Sequence, residues 1–563
     1  MPIFRSRQSL RGREIDPHEI FLDSANLPKF NDQQFEGRLE SPIPKRTGLV
    51  IGLSYLTVIL LFLWQVAELQ IVKGEAYFNR SQSNSLKRYP VFPERALVYD
   101  RENIPLVWNA PERAYFKKEG LAHLLGYLGR PTEEDIEKGL ADSQEEYIGK
   151  DGVEKAFNFS LRGEQGLKIA EVDTRGKIQS ENVYRLPRVS RSLTLSVDVE
   201  ITHALYTYIK ELSAERGFSG GAGVIMDVRS GEILALTSFP EFDPKLLTEG
   251  KDIQGIKKIT ADKRKPFLNR AVAGLYTPGS IVKPYVALAA LAEKVIDPET
   301  EIVSTGSISV ANPYDKTKKS VFTDWKAHGA VDMRRALAVS SNVYFYEVGG
   351  GFEKQKGVGI RNIEKYAKLF GLGEKSGIEL ENEAKGVVPS PEWKEVNFKG
   401  DAWRVGDTYN TAIGQYGFQV TALQMARAVA AISQDGILVR PTILKKEIDD
   451  GPEKISLGLD AKFFKIVKEG MRQAVREGTA QGLSGLGVTV GAKTGTAELG
   501  TAKQVVNSWV TGFFPYENPR YSFAVVMEKG RRSNTVGGVF VMRQLLDWMG
   551  IYKSEYLKEQ VDI

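Results

Sequence analysis

The sequence predicts an α+β protein carried behind a single membrane-spanning helix. Three observations point there: one long uncharged apolar stretch near the N-terminus, strand-like runs at both ends of the C-terminal two-thirds, and apolar helix-like runs between them. Strands at both ends with helices between describe a sheet closed by distant segments. At 563 residues the chain exceeds what one core organises, and a prior of about 150 residues per domain gives roughly three or four units.

Residues 1–46 read as a cytoplasmic tail. The charges flanking the apolar stretch nearly tie under the positive-inside rule, with Lys29, Arg38, Lys45 and Arg46 before it and Lys73, Arg80 and Lys87 after it. Arg5, Arg7, Arg11 and Arg13 tip the balance, because an anionic leaflet can hold them. Thr47 to Ala67, "TGLVIGLSYLTVILLFLWQVA", is 21 residues without a charge, long enough to cross a bilayer. It lacks the short apolar region and small-residue cleavage site of a removable signal, so it is expected to persist as an anchor. Gly48 and Gly52 form a GxxxG that lets another helix approach closely.

Residues 68–187 are polar and mixed, with strand-like pieces such as "RALVYD", and read as a spacer domain. The basic, proline-containing "RLPRVSRS" precedes the alternating "LTLSVD" and marks the boundary with a domain over 188–563. There "GAGVIMD" and "EILALTS" predict a hairpin. A helix is expected from Ser280 to Lys294, and late strands at "VTVGAKTG", "VNSWVTGFF" and "YSFAVVME".

Composition excludes several classes of chemistry. A net charge of +5 from 76 basic and 71 acidic residues gives no electrostatic case for nucleic acid. The chain has no cysteine, which removes disulfides, thiolate metal sites and cysteine nucleophiles together. His18, His123, His203 and His328 are scattered, so neither a zinc enzyme nor a Ser/His/Asp hydrolase is expected.

In "TPGSIVKP" Ser280 is the only serine with a lysine, Lys283, three positions on. At that spacing on a helix the two side chains share a face. The following "YVALAALA" is apolar all round, as a buried helix should be, and burial lowers a lysine's pKa towards the neutral base that chemistry needs. Pro284 suits the first turn, whose donors are unpaired anyway. An isolated SxxK is more often a helix start, so further signals must join it. Ser-x-Asn occurs at Ser24, Ser180 and Ser340, and only Ser340–Asn342 follows Ser280 in the same domain. "KTGT" occurs once, at Lys493, Thr494, Gly495 and Thr496; its glycine permits close approach of a substrate backbone, while its lysine and threonines can bind a carboxylate.

In the order SxxK, SxN, KTG these are the signature of penicillin-binding proteins and serine β-lactamases. The chain resembles a class B penicillin-binding protein, a membrane-anchored peptidoglycan D,D-transpeptidase. The likeness runs through "ERALVYDRENIPLVWN", "GKDGVEKAFNFSLRGEQG", "DVRSGEILALTSFPEFDP", "NRAVAGLYTPGSIVKP", "GDTYNTAIGQYGFQVTALQMARAVAAI" and "AKTGTAE". "DWKAHGAVDMRRALAVSSNVYFYEVG" is most similar to the elongation subgroup, the penicillin-binding protein 2 type. The resemblance implies a β-lactamase-like transpeptidase domain, an antiparallel sheet with flanking helices, behind a dimerisation-type pedestal. It implies an uncleaved anchor with the catalytic body periplasmic or extracellular. It also implies that Ser280 is acylated by stem peptides ending in D-Ala-D-Ala, or by β-lactams, with Lys283 taking its proton. Backbone amides of Ser280 and Thr496 would form an oxyanion hole; Ser340 with Lys493 would relay a proton to the leaving D-alanine. Asn342 would hold the peptide amide, and Thr494, Gly495 and Thr496 the carboxylate end. No cofactor or metal is implied, and the implied partner is a glycosyltransferase of the SEDS family.

The sequence departs from the family pattern in the spacer. Ala96 stands where glycine is usual and Asn158 where glutamate is usual. Between "LVWNAPERAYF" and "HLLGYLG" only a few residues replace a long lobe, so the pedestal is truncated. Asp324 and His328 are a loose i, i+4 pair, thin support for a metal. The alternatives are a division-type transpeptidase, a β-lactamase or β-lactam sensor, and a non-catalytic scaffold. A β-lactamase needs a water-activating carboxylate; Glu379 in "SGIELENEAKG" is read as structural.

Overall fold

The computed structural model describes residues 44–173, 177–311, 315, 317–446, 451, 453–500, 504–534 and 536–558. The arginine-containing tail therefore lies outside the described residues. The chain divides into two units, one of residues up to 87 with 169–181, the other of 88–168 with 182 onward.

In the first unit α1 (Lys45–Ala67) forms where the apolar run predicts it. At 1.5 Å per residue it is about 34 Å long, enough for a bilayer core. The two aliphatic hydroxyls near its middle are satisfied internally: Ser54 Oγ donates to the Val50 carbonyl at 2.9 Å and Thr57 Oγ1 to the Leu53 carbonyl at 2.8 Å. That is what a helix without water around it requires.

The second unit is built on one five-stranded antiparallel sheet. After α2 (Val199–Arg216) come β1 (Gly220–Asp227) and β2 (Ile233–Phe239), the predicted hairpin. Helices α3 (Lys283–Ala292), α4 (Met333–Val339), α5 (Asn342–Gly350), α6 (Ala422–Ser433) and α7 (Ala461–Glu477) follow. The chain then returns to the sheet with β3 (Gly491–Leu499), β4 (Val505–Phe514) and β5 (Tyr521–Arg531), and ends on α8 (Gly538–Tyr552). Strand order is β2-β1-β5-β4-β3, so the late strands extend the early hairpin and β3 is an edge.

Alternation along the strands separates two cores. Val224, Met226 and Val526 join Leu288 of α3 and Met425 of α6 on one face; Ile225, Val525 and Met527 join Leu205 of α2 and Leu545 of α8 on the other. Every residue of α6 is buried, as is α3 through Leu291, which explains why both sequences are mostly apolar; the long polar side chains of α6, Gln424 and Arg427, donate to backbone carbonyls. The predicted strand "VTVGAKTG" begins only at Gly491, because the Thr489 hydroxyl is taken up by Glu517 and by the Tyr516 N–H.

Residues 88–168 belong to this same compact unit. Short strands Pro105–Asn109 and Arg113–Tyr115 pair antiparallel, and Val98–Tyr99 runs parallel to Leu193–Thr194. Their centre is Glu154, fully buried, which accepts from Arg95 Nη2 at 2.9 Å and Arg113 Nε at 2.7 Å. Asn158, the unusual amide, fits here: its Oδ1 accepts from Arg95 Nη1 at 3.2 Å and from the Gly149 N–H at 3.1 Å, adding an acceptor without a second negative charge. Ala96 is buried and its N–H donates to the Leu161 carbonyl at 2.8 Å. The Glu241 carboxylate accepts from the Gly120 and Ala122 N–H groups at 2.7 and 3.0 Å, tying the connection at residues 120–122 to the segment just after β2.

Removing one member of a buried ion network leaves the others charged and unpaired. Glu154→Ala should therefore lower unfolding free energy by about 3–5 kcal/mol. Denaturant titration of the detergent-solubilised protein would test this, and an unmoved midpoint would contradict it.

Candidate active site

Three distant segments meet at one cleft of about 1080 Å³, lined by Ser280, Ser340, Asn342, Thr494, Gly495 and Thr496 among others. The first is a 3₁₀ turn, Gly279–Val282, leading into α3. Trp509 Nε1 of β4 donates to the Thr277 carbonyl at 3.0 Å, and Tyr276 exchanges two backbone hydrogen bonds of 3.0 Å with Val420. Gly279 has φ +59, and a Cβ there would lie 3.1 Å from the Thr496 carbonyl oxygen. Across the contact a Cβ on Gly495 would stand 2.7 Å from the Pro278 carbonyl. The two glycines thus let the serine turn lie flush against β3.

The second segment is the break between α4 and α5. Ser340 ends α4 in the left-handed region, φ 59 and ψ 40, and Ser341 caps α5 by accepting from the Tyr344 N–H at 3.3 Å. Asp324 holds this turn: its Oδ2 accepts from Ser341 Oγ at 2.8 Å and the Val343 N–H at 3.0 Å. Burial pushes this carboxyl up, but the Val343 and Asn342 N–H groups, the Ser341 hydroxyl and Lys283 outweigh it and hold it below the ordinary aspartate value.

The third segment is β3, and the centre of the site is where its lysine meets the other two. Lys283 is fully buried and donates to the Ser340 carbonyl and to Asn342 Oδ1, both at 2.7 Å. Its Nζ is also 3.4 Å from Ser340 Oγ. Lys493, equally buried, donates to the same Ser340 Oγ at 2.8 Å and to the Thr494 carbonyl at 2.9 Å. Burial lowers Lys283 to about 7, with Asp324 opposing. Burial, then repulsion from Lys283, push Lys493 well below the ordinary lysine value. Two amines on one hydroxyl therefore favour at least one neutral lysine at neutral pH, which is what proton transfer needs.

Ser280 is half-buried on the cleft wall, and among the described residues its hydroxyl has no hydrogen-bond partner. Lys283 is bonded to Ser340 and Asn342 rather than to Ser280. All eight motif residues converge: Ser280, Lys283, Ser340, Asn342, Lys493, Thr494, Gly495 and Thr496. Thr479 contributes without any signal in the sequence, its Oγ1 lying 2.6 Å from Thr494 Oγ1. The sequence marks Asp324 only as a partner for His328; His328 Nε2 is 3.7 Å from Asp324 Oδ1, and among the described residues no third carboxylate or imidazole joins them. Glu379 accepts from Thr442 Oγ1 at 2.6 Å and the Ile443 N–H at 3.0 Å, a structural post away from the cleft lining.

Residues 221–542 match the family described as penicillin binding protein transpeptidase domain, and residues 109–195 the penicillin-binding protein dimerisation domain. The Escherichia coli peptidoglycan D,D-transpeptidase MrdA is 28% identical over 618 aligned positions, covering 90% of this chain and 94% of that one. Among solved structures, PBP2 of Helicobacter pylori in complex with MreC is 25% identical with a TM-score of 0.71, covering 84% of this chain and 99% of that one. A chain from a peptidoglycan synthase complex is 26% identical with a TM-score of 0.71, covering 92% and 100%.

Asp324→Ala strands the buried Val343 N–H and Ser341 hydroxyl. It should cost about 1–3 kcal/mol of stability, read from denaturant midpoints, whereas His328→Ala should cost less; equal losses would remove Asp324's role in holding the turn.

Proposed function

The chain belongs to the penicillin-binding protein transpeptidase family, and we propose that it cross-links peptidoglycan stem peptides through an acyl-enzyme on Ser280. It is an elongation-type peptidoglycan D,D-transpeptidase, as its similarity to MrdA supports. One observation carries the assignment of residues: two buried lysines share the Ser340 hydroxyl, in the cleft that Ser280 lines.

The donor peptide lies against the free edge of β3, an extended chain added to a sheet. Its terminal carboxylate is received by Thr494 and Thr496, Gly495 lets its backbone come close, and Asn342 holds the peptide amide. Lys283, neutral, takes the Ser280 proton as Oγ attacks the carbonyl between the two D-alanines. The N–H groups of Ser280 and Thr496 hold the resulting oxyanion, a contribution of about 2.7–4 kcal/mol per donor in comparable sites. The C–N bond breaks as Ser340 and Lys493 deliver a proton to the departing D-alanine amine. An amine from a neighbouring stem attacks the ester, and Ser280 regains its proton. The covalent intermediate divides one difficult exchange into two easier ones. A β-lactam enters the same first step.

We assign residues 68–187 to a shortened pedestal and 188–563 to the transpeptidase domain, with α1 as a single-pass anchor, the tail cytoplasmic and the catalytic body periplasmic or extracellular. We infer a membrane glycosyltransferase of the SEDS family as partner; the relative solved within a peptidoglycan synthase complex that coordinates polymerization and crosslinking supports a polymerising partner.

Incubation with a fluorescent penicillin tests the reading. Label should attach, clear slowly and vanish in Ser280→Ala; rapid turnover would mark a β-lactamase, and an unlabelled wild type would mark a scaffold. Because burial lowers Lys283 to about 7, its amine is neutral above that pH. The labelling rate should rise about tenfold per pH unit below it and level off above. A flat profile through pH 7 would exclude Lys283 as the base.

A further inference from the structure

Thr479 enters the cleft from a part of the chain that no motif marks, two residues past the end of α7. Its backbone is fixed against α4: the Thr479 N–H donates to the Ala338 carbonyl at 3.1 Å, and a Cβ on Gly478 would stand 2.2 Å from that same oxygen. Ala338 lies two positions before Ser340. The side chain reaches the other way, to β3, where Thr479 Oγ1 and Thr494 Oγ1 are 2.6 Å apart. Both threonines line the cleft, and among the described residues neither hydroxyl has another hydrogen-bond partner. Strand pairing opposite Val510 and the bond from Lys493 Nζ to its carbonyl hold the Thr494 backbone, so the hydroxyl rotor is the freedom left to it.

We propose that Thr479 is a positioning residue for donor recognition: its hydroxyl donates to Thr494 Oγ1, which turns the Thr494 proton into the cleft toward the terminal carboxylate of the donor peptide. This rests on the functional reading above, which places that carboxylate at Thr494 and Thr496. A hydroxyl carries one proton and accepts on its lone pairs, whereas an ionised carboxylate only accepts. Of the two proton orders open to the pair, the one with Thr479 as donor leaves Thr494 a proton for the carboxylate. A hydroxyl that accepts one hydrogen bond is polarised to donate a stronger one. The β-branched Thr479 side chain, on a backbone tied to α4, keeps few rotamers. The Thr494 rotor is thus aimed by a neighbour already in place, and no side chain has to be ordered when the peptide arrives.

The test measures acylation of the full-length protein in detergent by two thioester donors that differ only in the end of the leaving group, a carboxylate or a carboxamide. Thr479→Val keeps the shape and removes the hydroxyl. It should lower kcat/KM for the carboxylate donor about fivefold, mostly through KM, and lower the preference for carboxylate over carboxamide by the same factor. Thr479→Ser should restore that preference to within about twofold of the wild type. Thr494→Val should lose at least as much as Thr479→Val. The double variant should lose no more than Thr494→Val alone, because the effect of Thr479 passes through Thr494. The preference is a ratio within one protein, so a partly unfolded fraction scales both donors alike and does not imitate it; were Thr479→Val not to fold, Thr479→Ala gives the same readout. An unchanged preference in Thr479→Val, no rescue by serine, or a double variant worse than Thr494→Val would overturn the role. If fluorescent penicillin labels the wild type while the preference stays unchanged in Thr479→Val, only the role of Thr479 is lost. An unlabelled wild type would sink the functional reading with it.

Discussion

Everything at the centre of this protein answers to one constraint: two buried lysine amines converge on a single serine hydroxyl. Lys283 and Lys493 are each fully buried, and both lie within reach of Ser340 Oγ. Desolvation disfavours the charged form of each, and proximity disfavours charging both. Asp324 supplies the opposing charge that keeps Lys283 near 7 rather than lower. The carboxylate does this while spent on the turn that presents Ser340, so electrostatics and backbone geometry have one anchor.

That arrangement explains the architecture around it. The serine turn, the α4–α5 break and β3 come from separate parts of the chain, and only a rigid frame keeps them in register. The sheet provides it, because β4 carries both the strand pairing to β3 and the indole that pins the serine turn. Placing β3 at the edge leaves its other side to the cleft. The pedestal residues follow the same economy. Glu241 grips the connection at residues 120–122 directly through two backbone N–H groups.

The sequence disclosed those parts whose chemistry is local. SxxK is a helical spacing, the run after Lys283 is apolar all round, and the hairpin and the late strands alternate; each signal lies within a few residues of its cause. Ser340 and Lys493 were legible by motif order, though their contact spans 153 positions. What stayed hidden depends on three dimensions. Asp324 suggested only a pairing with His328, because its partners at 341 and 343 become neighbours when the chain folds back. Thr479 carries no pattern at all. β3 starts three residues later than the alternation suggests, since Val488 and Val490 read as strand while Thr489 is drawn into a loop by Glu517 and Tyr516.

The left-handed backbone at Ser340 has a consequence for what substitutions can reach this position. At φ 59 a β-branched side chain collides with its own backbone, whereas an unbranched one is tolerated. Threonine offers the same hydroxyl but is branched at Cβ. Glycine and asparagine suit the backbone but bring no hydroxyl for the lysines to share. Of the aliphatic alcohols in the genetic code, the fold therefore admits one, and drift at this codon is narrowed by a torsion angle before chemistry is consulted.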